Sequence, residues 1–197
     1  MQRLSKTLSI LAFVLVFMAG TAFAQDNDSV VEQDGDDNEA TVGQTGSFNT
    51  ATILQGFNGQ GQSGAEATIQ QAGADNMATI KQRAWGSRDN DHTVTQTGSE
   101  NRASVDAFNG ANVGSITQTG DLNYGQIQHG AAKFGEAVIV QNGDDNSATA
   151  RQFSGSGNNA TIKQGNAAYV SSGNEGDIRQ EGDGNDASFV LTRGDDN

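Results

Sequence analysis

An amyloid-like, all-β solenoid of stacked strand-turn-strand rungs is the fold class that the sequence predicts, and three observations predict it. A pattern, Gln-x-Gly-x-x-Asn-x-Ala-x-x-x-Gln, recurs with its last Gln opening the next copy, at Gln33 to Gln44, Gln44 to Gln55, Gln71 to Gln82 and Gln141 to Gln152. The side chains ahead of each Gln alternate in character with period two. The chain also contains no Pro, as expected of a backbone that must hydrogen-bond along its whole length. A fixed period decides the architecture before any local propensity does.

The first residues stand apart from the repeats. Arg3 and Lys6 form a basic segment, Leu8 to Met18 is an apolar run, and Ala22-Phe23-Ala24 is a small-x-small cleavage site before Gln25. This reads as a secretory signal peptide over 1–24, too short and wrongly flanked for a stable membrane span. The expectation is an exported chain, 25–197, forming one repeat domain without membrane insertion.

The strands come next. Ala40-Val42-Gln44, Ala51-Ile53-Gln55, Ala67-Ile69-Gln71, Ala78-Ile80-Gln82, Ala160-Ile162-Gln164 and Gly176-Ile178-Gln180 share one parity. The other parity holds Thr41, Thr52, Thr68, Thr79, Thr161, Lys81, Lys163 and Arg179. Such alternation is a strand with one apolar and one wet face. Gly-x-x-Asn before a strand predicts a tight turn in which Gly supplies φ > 0 and Asn satisfies backbone groups locally. Two strand-and-turn units of 11 residues make a rung of roughly 22, within the size range of solenoid repeats.

The phase of the rungs follows from the two kinds of connection. Turns after Gln44, Gln71, Gln96, Gln118 and Gln141 keep Gly-x-x-Asn, whereas those after Gln55, Gln82, Ala107, His129 and Gln152 do not. The latter carry Phe57, Trp85, Phe108, Phe134 and Phe153, which this phasing puts at one edge of the stack. The expected rungs are 40–55, 67–82, 92–107, 114–129, 137–152 and 160–180, with half-rungs at 29–33 and 187–191. The segments 56–66, 83–91 and 165–175 are rich in Gly, Ser and Asn and are expected to be loops.

Composition narrows the function. The formal net charge is −13, about −15 once Arg3 and Lys6 are removed, and no basic stripe exists to neutralise the phosphates of nucleic acid. With no Cys, an exported chain has no disulfide framework and no thiol chemistry. Stacked rungs repeat every ~4.8 Å, so inward amides can donate to one neighbour and accept from the other. Ladders of this kind hold the rungs in register, because a one-residue shift would set Gln against Ile.

The repeated motif resembles the curlin repeat of bacterial curli subunits, from about Asp28 to the C-terminus. The resemblance implies export by a Gram-negative bacterium and polymerisation outside the cell. The fibres would be functional amyloid of the biofilm matrix, used in adhesion. It further implies that self-assembly is carried by Gln33, Asn38, Gln44, Asn49, Gln55, Gln71, Asn76, Gln82, Gln96, Asn101, Gln118, Asn123, Gln141, Asn146, Gln152, Gln164, Gln180 and Asn185. Implied partners are further copies of the chain, another curli subunit (nucleator or major subunit) and an outer-membrane secretion pore. Ala107, His129 and Leu191 depart from the pattern by replacing the marker Gln.

Other readings compete with this one. A soluble, monomeric β-solenoid acting as a surface binder or adhesin is the alternative. An ice-binding Thr array is disfavoured because the second outward positions hold Gly43, Leu54, Gln70, Lys81, Arg151 and Lys163. Gly35-Asp-Asp-Asn38, Gly143-Asp-Asp-Asn146 and Gly194-Asp-Asp-Asn197 invite a calcium reading, but the nine-residue β-roll period is absent. Weak divalent binding at those turns stays open. No enzyme is expected, and neither catalytic residues nor a cofactor: His92 and His129 stand far apart in register, with no nucleophile context.

Overall fold

The computed structural model describes residues 26–56, 62–83, 86–87, 89–108, 110–131, 133–165 and 172–192. The signal peptide expected over 1–24 lies outside the described residues, as do Phe57, Trp85 and the turn at 193–197.

Among the described residues the chain forms sixteen strands. The first eight are β1 (Asp28–Gln33), β2 (Glu39–Ser47), β3 (Thr50–Gln55), β4 (Gln62–Ser63), β5 (Glu66–Ala74), β6 (Met77–Arg83), β7 (Gly86–Ser87) and β8 (Asp91–Ser99). The rest are β9 (Arg102–Phe108), β10 (Val113–Thr119), β11 (Tyr124–His129), β12 (Glu136–Asn142), β13 (Ser147–Gln152), β14 (Asn159–Gln164), β15 (Glu175–Gln180) and β16 (Asp186–Leu191). Two parallel sheets contain all but β4 and β7. One runs β16-β14-β12-β10-β8-β5-β2 and the other β1-β3-β6-β9-β11-β13-β15.

Each rung takes one strand from each sheet, in the phase expected from the turns: β2 with β3, β5 with β6, and so on to β14 with β15. The half-rungs β1 and β16 lie at opposite ends and in opposite sheets. Register partners are 22 residues apart at Asp28↔Thr50 and 28 apart at Ser147↔Glu175. The expected spacing is thus the shortest one, and the excess sits in the connections. Two of the expected loops also contain strand: β4 pairs with β7 through Gln62↔Gly86 and Ser63↔Ser87.

Alternation explains the core. Inward Ala and Ile or Val form two facing columns, including Ala51, Ile53, Ala78, Ile80, Ile116, Ile127, Ile139 and Ile162, all with no exposed surface. Each buried Ile contributes about 1.5–3 kcal/mol, and the residue after it in the chain faces water. The core is one side chain deep from each sheet, so a rung is stable only between other rungs.

Both edges of the stack turn in the same way. The residue before each turn Asn is left-handed: Asp37, Phe48, Asp75, Glu100, Leu122 and Asp145 have φ of 56° to 58°. Ala111 (φ 60°) and Phe134 (φ 53°) do the same at connections lacking the Gly-x-x-Asn signature. Of the edge aromatics, Phe108 lies under the Arg83 guanidinium (3.8 Å to the ring centroid) and Phe153 under Arg179 (4.8 Å). These contacts pair aromatic with cation rather than aromatic with aromatic.

Candidate functional site

The candidate site is the set of inward amides, and the sheet that begins with β2 holds a continuous glutamine ladder. Gln44 Nε2 donates to Gln71 Oε1 at 2.9 Å, Gln71 to Gln96 at 2.8 Å and Gln96 to Gln118 at 2.9 Å. Gln118 donates to Gln141 and Gln141 to Gln164, both at 2.9 Å. The second hydrogen of each amide goes to backbone carbonyls of the opposite strand: Gln118 to Arg102 O and Gln141 to Tyr124 O. From Gln71 to Gln164 these side chains are buried, which makes a paired amide close to obligatory.

Asparagine forms a second system, with a role beyond the local one expected from the sequence. Asn49, Asn158 and Asn185 Nδ2 do donate to Thr45 O, Ser154 O and Glu181 O in their own turns, but the turn Asn also bonds from rung to rung. Asn76 N and Nδ2 both donate to Asn49 Oδ1, and Asn101, Asn123 and Asn146 repeat this on the Asn one rung before. Asn27 opens this column and Asn174 closes it. A local turn bond uses one donor, whereas inter-rung bonds use both the amide side chain and the backbone N–H. The opposite edge has its own column, in which Asn38 Oδ1 accepts from Ala65 N, Asn90 Oδ1 from Asn112 N, and Asn158 Oδ1 from Asn185 N and Nδ2.

Sequence reasoning placed Asn38 and Asn185 but missed Asn27, Asn90, Asn112, Asn158 and Asn174. A signal for them existed. Each Asn stands two residues before the inward small residue of its strand, or before His92 where that residue is replaced, so the inward parity runs one step further than the Ala-to-Gln pattern suggests. Asn27, Asn90, Asn112 and Asn174 have no glycine three residues earlier, so the Gly-x-x-Asn signature concealed them.

The second glutamine ladder is broken. Gln33 donates to Gln55 at 2.8 Å and Gln55 to Gln82 at 2.9 Å; Gln152 donates to Gln180 at 3.0 Å. Between these stretches Ala107 and His129 hold the glutamine positions. His92 reaches over from the facing sheet, out of a column of Ala and Gly, and its Nδ1 receives the Gln82 amide at 2.8 Å. An amide nitrogen only donates, so the His92 hydrogen is on Nε2.

His92 and His129 were expected far apart, but their rings are 5.6 Å apart at a 54° tilt. Register along one sheet does not measure distance across the core. Space comes from glycine at 114, where a Cβ would stand 2.6 Å from His92 Cδ2. Ala107, His92, Gly114 and His129 therefore form one joint adjustment. Its cost is visible: His92 Nε2 is buried without a hydrogen-bond partner, and His129 meets Gln152 and the Val113 backbone only at poor hydrogen-bond geometry. Burial, then the neighbouring His129, hold His92 well below the usual imidazole range. Burial takes His129 down to about 4, against an upward pull from Gln152 and the Val113 backbone.

Residues 35–63 and 136–165 match the family model described as the curlin associated repeat. These two stretches carry the curlin repeat. No curated protein and no solved structure matches the chain. Each matched stretch contains one complete rung, β2 with β3 and β12 with β13, and the strand that follows it, β4 or β14.

The rungs carry their charge outside. Glu39, Glu66, Asp91, Glu136 and Asp186 fall in one register column with Val113 and Asn159. Turn carboxylates accept backbone hydrogens from the rung before: Asp121 Oδ1 from Ser99 N and Asp144 Oδ1 from Asp121 N. Among the described residues no three His, Asp or Glu are grouped to hold a metal ion.

What the ladders do chemically is enforce register, and a substitution tests this. Gln118→Ala removes a bond on each side, leaving Gln96 Nε2 with only Met77 O and Gln141 Oε1 without its donor, so it is expected to cost about 2 kcal/mol or more. The outward change Thr117→Ser is expected to cost under about 0.5 kcal/mol. Denaturant unfolding of the soluble chain reads both. Equal losses would contradict the ladder account.

Proposed function

We propose that this curlin-repeat chain is an exported structural subunit that assembles into extracellular, curli-type amyloid fibres of a biofilm matrix, where it serves adhesion. The observation that supports the reading is the stack itself. Its polar interior is satisfied by neighbouring rungs, and β2 and β15 each end a sheet with one strand neighbour among the described residues. Unpaired parallel edges of this kind accept further strands. On this reading the partners are other copies of the chain, a second curli-type subunit that nucleates or elongates with it, and an outer-membrane secretion pore on a Gram-negative cell.

Incubation of purified 25–197 tests the reading. Thioflavin fluorescence should rise with a lag, the protein should sediment, and fibre diffraction should show a meridional repeat of about 4.7–4.8 Å. A chain that stays monomeric and soluble would instead be a solenoid binder.

The acidic register column adds a condition. Growth extends a row of like charges, so salt, which screens exposed charges over ~8–10 Å, should shorten the lag. A lag that lengthens on adding salt would contradict the repulsion.

A further inference from the structure

We infer that successive copies join by sharing one rung, built from β16 of one copy and β1 of the next. The inference rests on the self-assembly proposed above and specifies the surface that carries it. In every complete rung the strand of the β2 sheet comes first in the chain and the strand of the β3 sheet second. β16 is a first half without a second half among the described residues, and β1 is a second half without a first. Each therefore supplies what the other lacks: β16 stacks on β2 of the next copy while β1 of that copy stacks on β15.

An unpartnered buried group marks the place independently. Asn174 is 2 % exposed and its Oδ1 has no hydrogen-bond partner. At each preceding step of that column the Asn oxygen accepts both the N–H and the Nδ2 of the Asn one rung on, as Asn146 Oδ1 does from Asn174. The residue that continues the column is Asn27 of a second copy. Asn27 Nδ2 donates one hydrogen to Gly46 O at 3.2 Å, the bond made within the stack by Asn76 to Gly98 O. In the stack the other amide hydrogen goes to the preceding Asn oxygen, and Asn174 offers one.

The remaining ladders point the same way. Gln180 Nε2 donates to the Asn159 and Asn185 carbonyls, while the Gln152 amide, one rung inside, makes the equivalent bonds and a third to Gln180 Oε1. The third acceptor for Gln180 is Gln33 Oε1 of the next copy. Continuing the register of β13 on β15 and of β14 on β16 sets Arg179 against Glu32, Ile178 against Val31 and Phe189 against Val42. Leu191 faces Gln44, so one glutamine ladder runs through the junction and the other stops at it.

Because the chain has no Cys, paired cysteines report this register directly. Val30 and Asp177 are outward and become opposed at the junction, as do Thr41 and Ser188. Within one chain Val30 and Asp177 are six rung steps apart, about 29 Å, far beyond the reach of a disulfide. Fibres of 25–197 carrying Val30→Cys with Asp177→Cys, or Thr41→Cys with Ser188→Cys, should oxidise to covalent multimers. The mismatched pair Val30→Cys with Ser188→Cys, which the shared rung keeps in different sheets, should yield about tenfold less. Fibres that form under reductant but then cross-link no better in the matched pairs would overturn the shared rung and leave self-assembly standing. No fibres from the unsubstituted chain would sink both.

Discussion

Gly98→Ala is expected to abolish the folded solenoid, whereas Gly157→Ala should leave it nearly intact. Gly98 has φ 118°, outside the region an L-residue adopts easily, and a methyl there would overlap the Gly120 carbonyl oxygen on the next rung. Gly120 O belongs to backbone held by the rung above, so no side chain can swing away. Left-handed strain and steric overlap each cost about 1–3 kcal/mol, and a column of identical turns has no slack to relax into. Gly157 has φ 69°, and a methyl added there would meet nothing within 4 Å, so only the left-handed penalty of about 1 kcal/mol applies. Circular dichroism and denaturant midpoints of the soluble variants decide the matter. Comparable losses at the two sites would mean that the close approach of rungs at Gly98 is not what selects glycine.

The second large effect is a loss of stability in acid that the histidine pair controls. Imidazoles in an unfolded chain titrate near 6.5, and folded His129 titrates at about 4. Above about pH 6.5 both states are neutral and the pair carries no pH penalty. As pH falls below that, the unfolded chain binds protons that the folded chain refuses, so stability declines until the folded ring charges near pH 4. The fall from 6.5 to about 4 corresponds to about 3 kcal/mol for His129 alone, and His92 acts in the same direction. The combined variant His92→Ala, Ala107→Gln, His129→Gln restores the repeat pattern in both sheets. Its stability between about pH 7 and about pH 5 should be flatter than that of the natural chain, with the surface carboxylates common to both. An unchanged slope would show that the rings are not buried neutral.

Much of this architecture was legible because its physics is local and repeated. Period-two alternation through Ala51-Ile53-Gln55 and its copies assigns the faces of every strand, and the two kinds of connection assign the rung phase, including which ends carry β1 and β16. Stacking then follows, since a strand with one thin apolar face and paired amides is stable only between copies of itself.

The asparagine columns were half legible. Their residues lie on the inward parity, but that Asn49 serves Asn76 as well as its own turn depends on the ~4.8 Å approach of rungs, which no single repeat contains. The histidine pair was not legible at all. His92, Ala107, Gly114 and His129 each look like an isolated lapse from the motif, and their partnership runs across the core between sheets. Sequence period reports neighbours along a strand and along the stack. The third direction, from one sheet to the other, is set by how far each side chain reaches into the shared interior, and only tertiary packing decides it.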